Sequence, residues 1–281
     1  MTTTLQHNDD WIRSMLQEDM GHGDITSQLT VAPDQYAEGE FRAKSPLILA
    51  GSAVAVRVFQ LLDPHAQVEF HIADGAAAEA GQVIGIVRGH ARALLAGERL
   101  ALNILQHLSG IATMTRAYVE AVRDTNARIL DTRKTLPGLR ALEKAAVKAG
   151  GGMNHRIGLD DGVLIKDNHI KLAGGIRAAM QRALAECPLH LRIEIEVATT
   201  AEADEAVEAG AELLLLDNMS LDMLRETVTR VQGRARLEAS GGIDLNQVAA
   251  VAATGVDFIS VGRLTHSAPA ADINLKFRPL K

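Results

Sequence analysis

The sequence predicts an α/β protein in which a small sheet-containing domain precedes a parallel α/β barrel. Two observations carry the barrel. From about residue 127, a short apolar run, a polar or glycine-rich tip and an alanine-rich helical stretch recur six times. Strands alternating with helices of this length imply a parallel sheet. The repeats show no reversal of order, which favours a barrel over an open doubly wound sheet. The smaller domain rests on a third observation, the glycine-punctuated apolar runs between residues 36 and 90.

The elements follow in order. Residues 9–20 read as a helix with Asp9 at its N-cap and Gly21 at its C-cap. Phe41–Leu49, Val68–Ile72 and Val83–Val87 predict short strands, separated by Gly51, Gly75 and Gly81 and closed by Gly89. Residues 91–122 predict one or two helices interrupted near Ser109-Gly110, with the domain boundary beside them. The barrel strands are expected at Arg128–Asp131, Val163–Ile165, Leu191–Val197, Leu213–Leu216, Arg236–Ala239 and Phe258–Val261. The helices are expected at 137–149, 175–186, 200–209, 220–231 and 244–253, with Pro137 in a first helical turn and Gly150 after the helix end. Ile273–Leu280 reads as a strand that leaves the barrel and returns to the first domain.

Composition narrows the function. With 281 residues, 47% of them hydrophobic, the chain can bury one large or two unequal cores. A net charge of −6 argues against a general phosphate-backbone binder, and 3% aromatic residues leave no stacking platform for single-stranded nucleic acid. The single cysteine, Cys187, forbids an intramolecular disulfide and is read as a helix residue just before Pro188. Residues 1–10 lack a basic region followed by an apolar stretch, and no apolar run reaches the roughly 18 residues of a membrane span. The cytoplasm is the expected compartment.

The chemistry gathers at the strand tips, which converge on one face of a parallel barrel. The tips are Asp131-Thr132-Arg133-Lys134, Lys166-Asp167-Asn168-His169, Asp217-Asn218, Ser240-Gly241-Gly242 and Val261-Gly262-Arg263, while the third strand carries Glu194 and Glu196. Arg133, Lys134 and Lys166, joined by His155 and Arg156 from the loop 150–156, make a cationic cluster in an acidic protein, and an anionic ligand explains it. Arginine suits carboxylates and phosphates through its two-pronged geometry, and lysine supplies a point charge. Glu196 and Asp217 are hard oxygen ligands suited to Mg²⁺. The glycines of the last two tips expose backbone N–H groups ahead of helices, a phosphate-binding arrangement. A substrate pair with carboxylates, a pyrophosphate and a terminal phosphate satisfies all three features.

Singly, each feature has a plainer explanation. Arg133 and Lys134 serve equally as solvated strand-end charges, Glu196 and Asp217 as their structural partners, and Ser240-Gly241-Gly242 as a turn. His155 alone reads as a structural hydrogen-bonding residue, Gly150–Gly152 as a helix stop, and Asp24 and Thr26 as a helix start after Gly21-His22-Gly23. Recurrence at corresponding positions of successive repeats favours a site.

The run DTRKTLPGLRALEKAAVKAGGGMNHRIGLDDGVLIKDNHI, residues 131–170, resembles the signature of the quinolinate phosphoribosyltransferase family. EDMGHGDITS at 18–27, GERLALNILQHLSGIAT at 97–113, EIEV at 194–197, LLDNM at 215–219, EASGGI at 238–243 and GVDFISVGRLTHS at 255–267 resemble its other blocks, in family order. The resemblance implies an α/β sandwich domain, residues 1–112 joined by 267–281, and an incomplete TIM-like barrel over 113–266. It implies a phosphoribosyl transfer from phosphoribosyl pyrophosphate to quinolinate, with decarboxylation to nicotinate mononucleotide, in de novo NAD biosynthesis. It further implies Mg²⁺ and a homodimer whose sites are shared between subunits, with Arg99 of GER reaching the partner's site.

By the same resemblance, Arg133, His155, Arg156 and Lys166 hold the carboxylates of quinolinate. Thr132 belongs with these binding residues, and His169 lies near the site. Lys134 approaches the phosphoribosyl pyrophosphate, Glu196 and Asp217 serve its ribose and magnesium, and Ser240, Gly241, Gly242, Val261, Gly262 and Arg263 cradle phosphate. Lys134, Glu196 and Asp217 are the expected catalytic residues. The chain departs from the family pattern at Gly242, often asparagine, and at Arg263, often a small residue. Three other readings stay open on the residues: a phosphoribosyltransferase for another anionic base, a Schiff-base lyase using Lys134 or Lys166, and a non-catalytic binding protein.

Overall fold

The computed structural model describes residues 9–280; the expectation of no leader at residues 1–10 falls largely outside them. The chain forms two compact units, residues 9–114 with 141–151 and 268–280, and residues 115–140 with 152–267. No helix among the described residues is long and apolar enough to cross a membrane.

The first unit opens with α1 (Asp9–Met20), which buries Ile12 and Leu16 one turn apart and stops at Gly21 in a left-handed conformation. Asp9 is helical rather than the cap, and its carboxylate pairs with Arg57. In α2 (Ile25–Thr30), Asp24 is the N-cap and accepts the Ser27 N–H at 2.9 Å. Then come β1 (Tyr36–Ala43), β2 (Leu47–Ile48), α3 (Ser52–Leu62), β3 (Gln67–Phe70), β4 (Ala77–Ala78), β5 (Val83–His90) and α4 (Ala91–Ala121). The main sheet, completed by the chain's last strand, β12 (Ile273–Leu280), has the order β12-β1-β5-β3 and is antiparallel throughout. The returning chain end is thus locked in register, Phe41 opposite Leu275, and buried Glu38 accepts from both Arg88 and Arg278.

The expected break at Ser109-Gly110 does not occur, because α4 runs unbroken for 31 residues. Both residues serve packing instead. Buried Ser109 accepts the Ala50 N–H, and a Cβ on Gly110 would lie 2.1 Å from the Pro269 carbonyl oxygen. A glycine inside a helix costs about 1 kcal/mol relative to alanine, and here close approach of a second backbone demands it. Pro137 also departs from expectation. Gly138 has φ 80°, outside helical space, so α5 begins only at Arg140 (Arg140–Ala149) and Pro137 sits in the preceding turn.

The second unit holds a six-stranded parallel sheet. Its strands are β6 (Arg128–Leu130), β7 (Val163–Ile165), β8 (Ile193–Val197), β9 (Leu213–Asp217), β10 (Arg236–Ser240) and β11 (Phe258–Ser260). Its helices are α6 (Asp167–Ala173), α7 (Ile176–Glu186), α8 (Thr200–Glu208), α9 (Leu221–Val231), α10 (Val248–Ala252) and α11 (Arg263–His266). The strand order β6-β11-β10-β9-β8-β7 brings the last strand back beside the first, while β6 and β7 do not pair with each other. The barrel is therefore incomplete. The loop after α5 fills part of the seam: the Met153 N–H donates to the Ile129 carbonyl and the Asp131 N–H to the Met153 carbonyl.

Strand alternation separates two faces. Ile195, Leu214, Leu216, Leu237, Ala239 and Ile259 are buried. The intervening Glu194, Glu196, Leu215, Asp217, Glu238, Ser240 and Ser260 line cavities of the barrel. Thr199 and Ser220 cap α8 and α9 by accepting from Glu202 and Met223 N–H groups. Cys187 is the residue that ends α7, in extended conformation, rather than a helical one.

Candidate active site

One cavity collects the tips of all six strands. It is lined by Thr132, Arg133, Lys134, His155, Arg156, Lys166, Glu196, Asp217, Ser240 and Ser260, with Leu164, Leu215 and Glu238 deeper. Nine of the residues expected from sequence are therefore together in the second unit. Arg99, Gly241, Gly242, Val261, Gly262 and Arg263 are not among the lining residues. Arg99 is exposed on α4, two residues from Gly97, whose missing Cβ would sit 3.0–3.1 Å from Leu62 and Phe59.

The cationic side is short of partners. The Nε atoms of Arg133 and Arg156 are buried and bond to nothing in the protein. Arg156 spends one terminal N–H on the Gly162 carbonyl at 2.9 Å, and burial followed by the neighbouring Arg133 charge lowers its pKa. Two adjacent guanidiniums with unmet donors call for an anion. Lys134 is held by its own N–H to the Thr132 hydroxyl at 3.0 Å and by its carbonyl, which accepts from Thr265 at 2.8 Å. Its side chain passes over Gly262, where a Cβ would approach Cδ to 3.1 Å.

Opposite, burial raises the Glu196 pKa, the charge of Asp217 adds to this, and Lys166 opposes it. Glu196, Asp217 and Lys166 thus form one electrostatic group. The expected tip at 166–169 is the start of a helix. His169 caps α6 by accepting the Lys166 N–H on Nδ1 at 2.9 Å, so its role is to fix the backbone that presents Lys166.

Fewer of the residues expected to cradle phosphate offer free groups than the sequence suggests. Gly241 and Gly242 take φ 112° and 63°, and among the described residues their N–H groups reach no protein acceptor. A Cβ on Gly241 would lie 2.3 Å from Asn218 Oδ1. Val261 does not fit the cradle: its side chain is buried and its N–H already donates to the Leu130 carbonyl at 3.0 Å. Arg263 begins the short helix α11 with an exposed side chain.

His155 also differs from expectation. Its Nε2 lies 2.9 Å from Glu194 Oε2 and 3.8 Å from Glu238 Oε2, and its Nδ1 accepts the Arg156 N–H at 2.7 Å. Nδ1 as acceptor assigns the ring proton to Nε2. Both ring nitrogens are thereby engaged by the protein, and the imidazole contributes a face rather than a free donor. Asp131 secures the loop by accepting the His155 N–H at 2.9 Å and the Asn154 side-chain amide. Glu194 is therefore not a tip residue but a buried partner of His155. Glu238, 1% exposed, is a site residue that the sequence patterns do not single out. A signal for it exists: it precedes Ser240 by two residues, as Glu194 precedes Glu196. Burial, then the charge of Glu194, pushes the Glu238 pKa up to about 8 against the influence of His155.

Known proteins share this architecture. Residues 24–109 match the N-terminal domain and residues 111–276 the C-terminal domain of quinolinate phosphoribosyl transferase. The chain is 46% identical over 258 residues to a probable nicotinate-nucleotide pyrophosphorylase [carboxylating] of Bacillus subtilis (strain 168), covering 92% of this chain and 89% of that one. It is 44% identical over 273 residues to the nicotinate-nucleotide pyrophosphorylase [carboxylating] of Mycobacterium leprae (strain TN), covering 95% of each. The crystal structure of NadC from Streptococcus pyogenes superposes with a TM-score of 0.93 at 40% identity over 97% of both chains. The chain belongs to the quinolinate phosphoribosyltransferase family.

Proposed function

We propose that this chain transfers phosphoribosyl from phosphoribosyl pyrophosphate to quinolinate, giving nicotinate mononucleotide, pyrophosphate and CO₂ for de novo NAD biosynthesis. The observation that carries this reading is the pair of half-buried arginines, Arg133 and Arg156, each with a buried, unbonded Nε in one cavity. Quinolinate has two adjacent carboxylates on a flat ring, which match two planar cations better than a monocarboxylate does.

Lys166 adds a third positive group on the same wall, and His155 offers its ring face. The ring nitrogen then attacks the anomeric carbon as pyrophosphate departs. Glu196 and Asp217 face the developing positive charge on the sugar, and Lys134 balances the leaving charge. Ser240 and the free N–H groups of Gly241 and Gly242 suit a phosphate. The chemistry is mostly positioning and electrostatics. Formation of the pyridinium provides the electron sink for loss of the neighbouring carboxylate.

Glu196 and Asp217 fit Mg²⁺: they are hard oxygen donors in one cavity, and a shared cation relieves both the burial that raises the Glu196 pKa and the Asp217 charge that adds to it. When bound, the metal supplies charge neutralisation to the pyrophosphate. We further propose a cytoplasmic homodimer in which the exposed Arg99 serves the partner subunit's cavity. Supplying quinolinate, phosphoribosyl pyrophosphate and Mg²⁺ should yield nicotinate mononucleotide and CO₂. Absence of both products overturns the proposal, and strong competition by nicotinate would point to a monocarboxylate base instead.

A further inference from the structure

Granted that reaction, we propose that Glu238 delivers the proton that replaces the departing carboxylate on the pyridine ring. Loss of CO₂ breaks the bond between the ring carbon beside the nitrogen and its carboxylate carbon. Both bonding electrons stay on the ring carbon, next to the positive nitrogen. A C–H bond must form as the C–C bond breaks, before CO₂ can recombine with the ring carbon, with a proton taken from an acid whose O–H electrons remain on its oxygen. The balance is one proton given per CO₂ released, and water restores the acid between turnovers.

The cavity holds few groups able to do this. Arg133 and Arg156 do not release protons near neutrality. The Nε2 proton of His155 is directed at Glu194, Glu196 and Asp217 serve the sugar and would hold the metal, and Lys134 and Lys166, which also line the cavity, are committed as cations to the pyrophosphate and the quinolinate carboxylates. Glu238 remains. It lines the cavity one inward step below Ser240, it is almost wholly enclosed, and its Oε1 makes no hydrogen bond of normal geometry, although the Ser260 hydroxyl and the Glu194 carboxylate act on its carboxyl group. The interior layers of α/β barrels are ordinarily filled by branched apolar side chains. An acid placed there, with an unbonded oxygen, needs a reason. Its raised pKa keeps it in the protonated form at neutral pH.

The same residue has a way to be recharged. A second cavity opens at the opposite mouth of the barrel, where Val163, Leu213 and Phe258 begin their strands. Glu238, His155 and Arg156 line both cavities. A proton can therefore return from the far mouth while product fills the near one.

The test separates the two steps. Glu238→Gln keeps the side-chain size and removes the acid. Enzyme and variants are mixed with phosphoribosyl pyrophosphate, Mg²⁺ and quinolinate labelled in the carboxylate that leaves, and pyrophosphate and CO₂ are followed over one turnover. The expected result is pyrophosphate release within a few-fold of the unaltered enzyme. CO₂ release should fall by roughly 100-fold or more, the usual range for a lost general acid, with the dicarboxylate nucleotide accumulating. Glu238→Asp should recover part of the CO₂ release. Unchanged CO₂ release in the Gln variant overturns the proposal. So does equal loss of quinolinate binding, pyrophosphate release and CO₂ release in both variants, which would make Glu238 part of the scaffold. If the unaltered chain releases neither product, the family reaction is what fails.

Discussion

His155 Nε2 sits 2.9 Å from Glu194 Oε2, and a single peptide N–H, that of Arg156, holds the other ring nitrogen at 2.7 Å. The imidazole is thus a strut between a buried carboxylate and the loop that presents Arg156. Replacing His155 with alanine leaves a buried acceptor unmet, which costs about 1–3 kcal/mol. Denaturant unfolding should show that loss, together with weaker quinolinate binding. A variant with unaltered stability and a changed quinolinate affinity alone would instead make the ring a direct ligand.

Arg133 predicts the opposite division. Its Nε is unbonded in the protein, so Arg133→Ala should leave stability nearly unchanged and weaken quinolinate binding. Loss of charge-assisted bonds of about 1.5–3 kcal/mol corresponds to roughly 10- to 150-fold in Kd. Arg133→Lys should recover little of it, because an ammonium cannot reproduce a two-pronged contact. Calorimetric titration with quinolinate checks both, and unchanged affinity in the alanine variant sinks the assignment.

These residues also mark what was legible in the sequence. The alternation of apolar runs and helices located the six parallel strands to within two residues, because period-2 and helical patterns are local properties; in the first unit the expected strand Phe41–Leu49 is instead the end of β1 (Tyr36–Ala43) and the separate β2 (Leu47–Ile48), and β4 (Ala77–Ala78) went unread. The convergence of Arg133, Lys166, Glu196 and Asp217 followed from topology, since parallel strands aim their ends at one face. What stayed hidden depends on long-range contact. Gly110 reads as a break until the Pro269 carbonyl is seen against it. Val261 reads as a phosphate donor until its N–H is found on Leu130. Glu238 was hidden inside a family block: its spacing from Ser240 is a weak signal, and its burial beside Glu194 and His155 is what singles it out.

Glu238 also predicts a pH dependence of stability. Its folded pKa is raised from 4.5 to about 8, so between those values the folded state binds a proton that the unfolded state has lost. Stability must then fall as pH rises through this window. Every tenfold difference in proton affinity between the two states corresponds to about 1.4 kcal/mol. Glu196, also raised, acts in the same direction, whereas Glu38, held low by Arg278 and Arg88, acts oppositely and only at acid pH. Denaturant midpoints from pH 5 to 8 should decline in the unaltered chain and decline less in Glu238→Gln. Parallel curves would show that Glu238 is ionised in the folded protein.

The two cradle glycines should respond differently. Gly241 combines φ 112° with an Asn218 oxygen 2.3 Å from any Cβ, so Gly241→Ala should cost about 1–3 kcal/mol of backbone strain and clash. It should also raise the KM for phosphoribosyl pyrophosphate. Gly242 lies at φ 63° with open space around it, and asparagine tolerates that region. Gly242→Asn should therefore change stability by less than about 0.5 kcal/mol. Thermal melting and phosphoribosyl pyrophosphate titrations of the two variants, compared side by side, decide the point.

Arg99 carries the prediction about assembly. It is exposed on α4, in the first unit, and under the proposed shared site a second copy of the chain delivers it. Arg99→Ala and Glu196→Gln should each be nearly inactive alone. Mixed under conditions of subunit exchange, about half the dimers become hybrids, and each hybrid regains one intact site from the unaltered barrel of one chain and the Arg99 of the other. Activity should recover to about a quarter of the unaltered level, as a two-fold dimer requires. A mixture that stays as inactive as its components, although hybrids have formed, would place Arg99 outside the partner subunit's site.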